Sequence, residues 1–287
     1  MRSRRHRSPL LAALALAAMA IPARGMAHPR PAPPRERKSG WWARVGRAQA
    51  SQPHWITPVA VVTPLLAEEF RFDEVWQTAS SGATTADSFD GKGLELIPTQ
   101  HIEVIAGVPA YFRRSSPSPA RSGWGDFPML VKYRMFSAPS GEGNYVLTAF
   151  FGATLPTGTA GNGAGETVLH PALAFGKGWG DFDVQGTFGA AIPVGTWREL
   201  GTPLALNAAF QYHIFGKFWP EVEINSTAWP NGTQDGKKET FLTPGLVIGR
   251  FPLWGRAGVV VGGGVQIAVT HFHRTNHNLI FTIRLPF

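Results

Sequence analysis

Apolar residues recur at every second position over the last eleven residues of the chain. The odd positions from Leu279 to Phe287 are all apolar, whereas the even positions between Asn278 and Pro286 include an amide, a hydroxyl and a guanidinium. A period of two residues predicts a β-strand whose faces meet two different environments. The chain stops on an aromatic residue at the end of its apolar face, an ending typical of bacterial outer-membrane β-barrels.

The same alternation recurs along the chain from Thr57 onwards, which predicts twelve strands. The predicted strands cover residues 58–72, 91–97, 101–112, 125–136, 145–156, 167–177, 181–193, 203–215, 218–228, 239–250, 255–269 and 277–287. Soluble β-sandwiches alternate in the same way, but here the second face is mostly polar or small rather than hydrophobic. The fold class predicted is therefore all-β, a transmembrane antiparallel up-and-down β-barrel of about twelve strands, which leaves lipid no open sheet edge.

The connections between the predicted strands alternate in length. Residues 98–100, 137–144, 178–180, 216–217 and 251–254 form the shorter connections, and residues 73–90, 113–124, 157–166, 194–202, 229–238 and 270–276 form the longer ones. In such barrels short turns face the periplasm and long loops face outside. An even number of strands then places both termini in the periplasm, where Phe287 is predicted to act as the insertion signal.

The first 56 residues lack this alternation. Residues 1–27 combine arginines with an apolar run of twelve residues, Leu10–Ile21, and a small-x-small site that ends at Ala27. This pattern predicts a secretory signal peptide cleaved after Ala27, with Ala20 as the alternative, and a twin-arginine signal as the weaker type. Residues 28–56 are rich in Pro and Arg and are predicted to be a disordered periplasmic tail, followed by the barrel at 57–287.

The charge of the whole chain does not describe the predicted barrel. The formal charge is +8, from 27 Lys/Arg and 19 Asp/Glu, but residues 1–47 hold 11 of those cations and only one acid, Glu36. The remaining 16 cations and 18 acids give a balance of −2. Because nucleic-acid binding needs clustered basic residues on the folded surface, we predict no nucleic-acid partner. The chain has no cysteine, which excludes disulfides and thiolate sites.

Four segments together resemble the "MetA-pathway of phenol degradation" family of outer-membrane transporters. They are Thr63–Phe72, Leu94–Tyr111, Ser122–Arg134 and Phe151–Gly158, and the most specific pieces are a Gly-Asp before a strand ending Lys-Tyr-Arg and a Leu-Pro-Thr-Gly strand exit. The resemblance implies a β-barrel with a transport role linked to aromatic catabolism. It implies no particular substrate.

Polar side chains on the predicted inward faces are the candidate lining of a lumen. These residues are Glu95, His101, Glu103, Lys132, Arg134, Asp183, Gln185, Asn207, Gln211, His213, Glu221, Glu223, Arg250, Gln266 and Arg284. One interpretation is a polar pore that selects solutes, and the other is a lattice of ion pairs and hydrogen bonds that fills a narrow lumen. On paired strands Glu103 is expected to face Lys132 or Arg134.

Two other groups of residues are candidate sites of a different kind. His271, His273 and His277 lie close together and form a weak candidate for zinc or copper, but no carboxylate accompanies them, and no metal or other cofactor is predicted. His213 and Ser226 lie on neighbouring predicted strands without any recognisable hydrolase motif, so no enzyme is predicted.

The function predicted is an outer-membrane channel for passive passage of small hydrophobic or aromatic solutes. The alternative is a plugged structural or binding barrel that acts through its extracellular loops. The expected partners are outer-membrane lipid, the barrel-insertion machinery at the C-terminal strand and an unidentified small-molecule solute.

Overall fold

The computed structural model describes residues 40–115, 121–195 and 197–287. The predicted signal peptide and residues 28–39 of the predicted tail lie outside this part of the chain. Within it, no helix is both long and apolar enough to cross a bilayer.

Sixteen β-strands and a few short helical segments make up the described residues. The helical segments are α1 (Trp41–Ala50), a 3-10 turn (Ser140–Glu142) and α2 (Trp197–Leu200). The strands are β1 (Glu69–Thr78), β2 (Thr84–Ser88), β3 (Gly93–Leu96), β4 (Ile102–Gly107), β5 (Tyr111–Arg114), β6 (Gly123–Trp124), β7 (Phe127–Ala138), β8 (Tyr145–Leu155), β9 (Val168–Trp179), β10 (Phe182–Ala190), β11 (Ile192–Pro193), β12 (Leu204–Tyr212), β13 (Phe218–Ala228), β14 (Lys238–Pro252), β15 (Gly258–Ala268) and β16 (His277–Pro286).

The strands form one antiparallel sheet that closes on itself. Each span of the wall pairs with the next span along the chain, and β16 pairs with β1 over ten residues, from Glu69 opposite Pro286 to Thr78 opposite His277. Four spans are interrupted: β2 and β3 together form one span, and so do β4 and β5, β6 and β7, and β10 and β11. The result is a closed up-and-down barrel of twelve spans, which confirms the predicted fold class.

The wall alternates as a barrel between lipid and a polar interior requires. On β7, Met129, Val131 and Tyr133 are 45%, 38% and 48% exposed on the outer face, whereas Lys132 and Arg134 between them are 1% and 2% exposed. The terminal strand β16 follows the same rule. Charged groups therefore lie inside and apolar groups outside, the reverse of a soluble protein.

The longer connections lie at one end of the barrel and the shorter ones at the other, except in the first hairpin. The prediction was wrong there: only residues 69–72 of the predicted first strand lie in a strand, and most of the predicted loop 73–90 also lies in strands. The first strand is β1, and a short turn, residues 79–83, leads from it into β2. The sequence was misleading because the stretch after Phe72 begins with two adjacent charged residues, Asp73 and Glu74, and these charges make a buried part of β1 look like a loop.

The predicted disordered tail is also wrong for the part that the structure describes. Residues 41–50 form the helix α1, and its buried residues Val45 and Ala48 pack against Leu66 and Ile97. The helix forms because its apolar residues lie at helical spacing and meet an apolar patch of the folded barrel.

Candidate functional site: the barrel lumen

Most of the predicted lining residues are in the interior of the barrel. Ten of them are buried: Glu95, Glu103, Lys132, Arg134, Asp183, Gln185, Gln211, Glu221, Glu223 and Arg284. Asn207, His213 and Gln266 are partly buried. The period-two pattern of the individual strands was sufficient to find them.

Two predicted lining residues do not line the lumen. His101 is exposed in the turn before β4, where its Nδ1 lies 3.3 Å from the carbonyl oxygen of Arg134. Arg250 is exposed and donates hydrogen bonds to the carbonyl oxygens of Arg256 and Pro286. The register of β14 shifts between Ile248 and Phe251, so strict alternation no longer predicts which way Arg250 points.

Two ion pairs are buried among the described residues of the wall. Lys132 Nζ lies 2.8 Å from Glu103 Oε1, and these residues are direct neighbours across β7 and β4. Arg71 binds Asp73 through its Nε and Nη2 atoms, the closest contact being 2.7 Å. Arg71 also lies directly opposite Arg284 where β1 meets β16, so two guanidiniums face each other across the closing seam. A buried like-charged pair needs additional partners to be stable.

Those partners come from a part of the chain that the sequence did not assign to the interior. Residues 52–68, the lumen segment, contact inward-facing side chains of seven strands around the barrel. The lumen segment contains an apolar run, which was predicted from the sequence to be part of a strand. In the structure these apolar residues lie in the interior and do not pair in the sheet. No local pattern of the segment predicts its interior position, because several of its hydrogen-bond partners are more than a hundred residues away in the chain. Glu221, Glu223 and Arg284 are examples.

Carboxylates of the wall accept hydrogen bonds from backbone N–H groups of the lumen segment. Glu221 Oε1 accepts from Val59 at 2.8 Å, and the two oxygens of Glu223 accept from Ala60 and Val61 at 2.8 and 2.7 Å. In the same way, Glu103 Oε2 accepts from the backbone of Ala67 at 2.5 Å. These bonds satisfy buried carboxylates and buried amides together, which is the condition for either to be tolerated away from water.

Donors of the wall bind the carbonyl oxygens of the same segment. Arg284 donates to the carbonyls of Thr57 and Pro58 at 2.5 Å each, and Arg71 donates to that of Val59 at 2.6 Å. The carbonyls of Ile56, Pro64 and Leu65 accept from Gln185, Thr148 and Lys132 respectively. The wall thus holds the segment mainly through its peptide groups rather than through its side chains.

Trp55 anchors the segment at a notch in the wall formed by glycines of β9. A Cβ added to Gly176 would lie 2.5 Å from Cζ3 of the Trp55 ring, and one added to Gly178 would lie 2.7 Å from its Nε1 atom. The ring therefore occupies space that any larger residue at these positions would take. Val146 borders the notch, and its Cγ1 lies 3.2 Å from the same Gly176 position.

The helix α1 is fixed to the wall by Arg134. Its Nη1 donates to the carbonyl of Ala48 at 2.6 Å and to Gln52 Oε1 at 2.8 Å, and its Nη2 donates to Ser51 Oγ at 2.8 Å. Trp42 on the other side of the helix meets the ring of Phe287 edge-on at 6.3 Å. These contacts place α1 at the end of the barrel where the chain terminates, on the side of the shorter turns.

Cavities lie beside the lumen segment, and two of them concern the function. The larger, of about 320 Å³, lies between the segment and the wall, and its lining combines charged residues such as Lys132 and Glu95 with apolar residues such as Val62, Ile105 and Leu130. It extends to the interrupted spans of the wall. The smaller, of about 230 Å³, lies on the other side of Val59 and Ala60.

The two weaker candidate sites are not assembled. Both ring nitrogens of His273 contact its own loop, at the carbonyl of Thr270 and at Asn276 Oδ1, and no cluster of three metal-binding side chains occurs among the described residues. Ser226 contacts Thr240 at 2.7 Å, whereas His213 stacks on Trp219 with ring centroids 4.2 Å apart. Ser226 pairs with Leu206, seven residues before His213, a distance of roughly 23 Å along the strand.

Comparison with known proteins shows the fold. No family model matches the chain, and no curated protein matches it, so the resemblance to the phenol-degradation family stays a prediction. Among solved structures, the COG4313 outer membrane channel from Pseudomonas putida F1 is 13% identical with a TM-score of 0.58, covering 81% of this chain and all of that one. The NanC porin is 10% identical with a TM-score of 0.50, covering 76% of this chain and 98% of that one. This chain thus shares its architecture with outer-membrane channels.

Proposed function

We propose that this chain is an outer-membrane channel for passive passage of small hydrophobic or aromatic solutes, and that residues 52–68 close it. The observation that carries the proposal is a closed twelve-span barrel whose interior is filled by a segment held through hydrogen bonds and side-chain packing, without strand pairing. Because the segment forms no strand pairing with the wall, it is able to leave without opening the sheet. The similar solved structures, both described as a channel or a porin, support the same function.

The solute class is supported by the larger cavity and by the family resemblance. Side chains such as Val62, Ile105 and Leu130 give the cavity a mostly apolar surface, and five charged residues also line it: Arg71, Asp90, Lys92, Glu95 and Lys132. A pocket with an apolar lining and a few polar groups suits a small apolar or aromatic molecule. The resemblance to phenol-degradation transporters implies the same class.

Location and assembly are part of the proposal. The chain is exported by the signal at residues 1–27, is inserted into the outer membrane through its C-terminal strand ending in Phe287, and contacts lipid through its apolar outer face. The shorter turns, α1 and the C-terminus then lie on the periplasmic side.

A second candidate function is a plugged barrel with a structural or binding role through its outer loops. The filled lumen favours it, because the buried ion pairs and the lumen segment form one continuous lattice. Both candidates predict an inserted barrel, and they differ in whether the lumen segment moves.

The test is solute flux through liposomes that contain the refolded full chain. Phenol-like solutes are compared with sugars of similar size. The segment is locked in the variant Thr63→Cys/Gln185→Cys, whose side chains are 2.7 Å apart in the native protein, by a short cleavable thiol cross-linker. Because the chain has no other cysteine, only this pair reacts.

The channel proposal predicts that aromatic solutes pass faster than sugars, that the cross-link stops them and that cleavage of the cross-link restores flux. Equal flux of both solutes would replace the proposal with a general pore. No flux of either solute through a correctly folded, uncross-linked barrel would favour the plugged barrel. Equal flux with and without the cross-link would mean that residues 52–68 do not close the channel.

A further inference from the structure

Amide side chains form a continuous hydrogen-bonded row across the inner wall. Asn278 Nδ2 donates to Gln266 Oε1 at 2.6 Å, Gln266 Nε2 to Asn225 Oδ1 at 3.2 Å, Asn225 Nδ2 to Asn207 Oδ1 at 3.3 Å, and Asn207 Nδ2 to Thr187 Oγ1 at 3.0 Å. All four bonds run in the same direction, so each one polarises the next. The row makes its first member, Asn278, a stronger acceptor than an isolated amide.

The acceptor at the head of this row has no partner. Asn278 is 5% exposed, and its Oδ1 atom makes no hydrogen bond within the described part of the chain. A buried amide oxygen without a donor costs free energy, and native structures rarely keep one without a reason. A ligand that donates a hydrogen bond to this atom would recover that cost.

The smaller cavity lies beside the row. Three members of the row, Asn225, Gln266 and Asn278, line this space of about 230 Å³, which is below the usual size of drug-sized ligand sites. Gln77, the neighbour of Asn278 across the seam, adds another amide. The cavity therefore has the size and the polar groups for one small molecule.

The remaining lining decides the charge and shape of that molecule. Val59, Ala60, Val75 and Ile280 supply apolar surface, and neither Lys nor Arg is among the described residues that line the cavity. Asp73 and Asp90 also line it, but each carboxylate has a cation beside it, Arg71 at 2.7 Å from Asp73 and Lys92 at 3.4 Å from Asp90, which compensates its charge. Binding of an anion is disfavoured here. A neutral molecule with one hydrogen-bond donor and an apolar body fits both the amide groups and the apolar residues of the cavity.

We propose that this cavity is a binding site for a small neutral hydroxyl-bearing molecule, which donates its hydroxyl hydrogen to Asn278 Oδ1 and packs its carbon skeleton against Val75 and Ile280. The site lies near the β1–β2 turn and the β15–β16 loop, on the outer side of Val59 and Ala60. It is therefore the first selective site that a solute meets before the lumen segment. The inference rests on the proposed channel function only in that a solute enters the lumen to reach the site.

The test measures binding rather than flux, so that it is independent of gating. Equilibrium dialysis of the full chain in detergent compares benzyl alcohol with benzyl methyl ether, which has the same ring but no donor. One hydrogen bond to a neutral acceptor predicts that the alcohol binds up to about tenfold more tightly. In Asn278→Leu the two affinities should become equal, whereas Thr282→Val, a buried hydroxyl loss on the same strand face outside the cavity, should keep the difference.

The outcomes separate the alternatives. Binding of glycerol that is lost in Asn278→Leu would support the site with a polyol as ligand. Equal binding of the alcohol and the ether by the native chain would overturn the proposal, and so would tighter binding of benzylammonium, because the acidic residues would then determine recognition. If Asn278→Leu does not fold, Asn278→Ala gives the same test. A barrel that binds the alcohol as predicted but passes no solute would refute the channel function and leave this site standing.

Discussion

The contact between Trp55 and the glycine notch of β9 is expected to set how often the channel opens. Replacing a fully buried Trp by Ala costs about 3–5 kcal/mol. Trp55 is only partly buried, so we expect Trp55→Ala to weaken the closed state by about 2 kcal/mol. Since 1.4 kcal/mol corresponds to a factor of ten, the ratio of open to closed time should rise roughly 30-fold.

A change on the other side of the same contact should act in the same direction. A methyl group on Gly176 would approach the Trp55 ring to 2.5 Å and Val146 to 3.2 Å, so the ring has to move in Gly176→Ala. Overpacking of this kind costs about 1–3 kcal/mol, which again predicts a rise of one to two orders of magnitude.

The double variant distinguishes this mechanism from general damage. If the two changes act independently, their costs add to about 4 kcal/mol. If they act through one contact, the new methyl group occupies space that Trp55→Ala has vacated, and the double variant opens no more often than Trp55→Ala alone. We expect the second result, a coupling of about 2 kcal/mol between the two positions.

Single-channel recordings in planar bilayers measure these ratios directly. The control is Gly46→Ala in α1, where an added methyl group meets nothing within 4 Å and the opening ratio should not change. Heat-modifiable migration on gels checks that each variant is a folded barrel. An additive double variant, or unchanged opening in Trp55→Ala, would refute the assignment of Trp55 as the anchor of the lumen segment.

Three further predictions concern the wall and the ends of the barrel. Lys132→Met should destabilise the barrel by about 3–5 kcal/mol, because it leaves Glu103 buried without its partner; urea unfolding followed by fluorescence measures the loss. The double change Lys132→Met/Glu103→Leu should recover part of that loss. An equal loss of stability in the single and the double variant would contradict the pairing. Arg134→Met should detach α1 from the wall while leaving insertion intact. Proteolysis from the periplasmic side should then be faster within residues 41–52, and solute flux should increase. Loss of insertion would instead favour the plugged structural barrel. Deleting Phe287 should slow assembly by the insertion machinery several-fold, whereas Trp42→Ala, which removes only the ring packed against Phe287, should not, as folding time courses on gels would show.

The sequence predicted the wall of the barrel better than its contents. From β7 to β16 each strand faces lipid on one side and a polar interior on the other, so the period-two pattern of each strand alone reveals its orientation. The same pattern found Glu103, Lys132, Glu221 and Glu223 as interior residues. It failed at Arg250, where a register shift in β14 breaks the period.

The lumen segment was missed for a physical reason. A strand satisfies its backbone through a neighbouring strand, and a sequence pattern reports the environment of the two faces that remain. Residues 52–68 satisfy their backbone through side chains of distant strands, a relation that no local period encodes. Proline at positions 58 and 64 was the available signal, because it interrupts pairing in a sheet.

The arginines at the seam have a consequence for the order in which the barrel is assembled. Arg71 and Arg284 come from the first and the last strand and become neighbours only when the sheet closes. At that moment both guanidiniums require the carbonyls of Thr57, Pro58 and Val59. We therefore expect the segment just before the first strand to enter the barrel no later than the final pairing of β1 with β16.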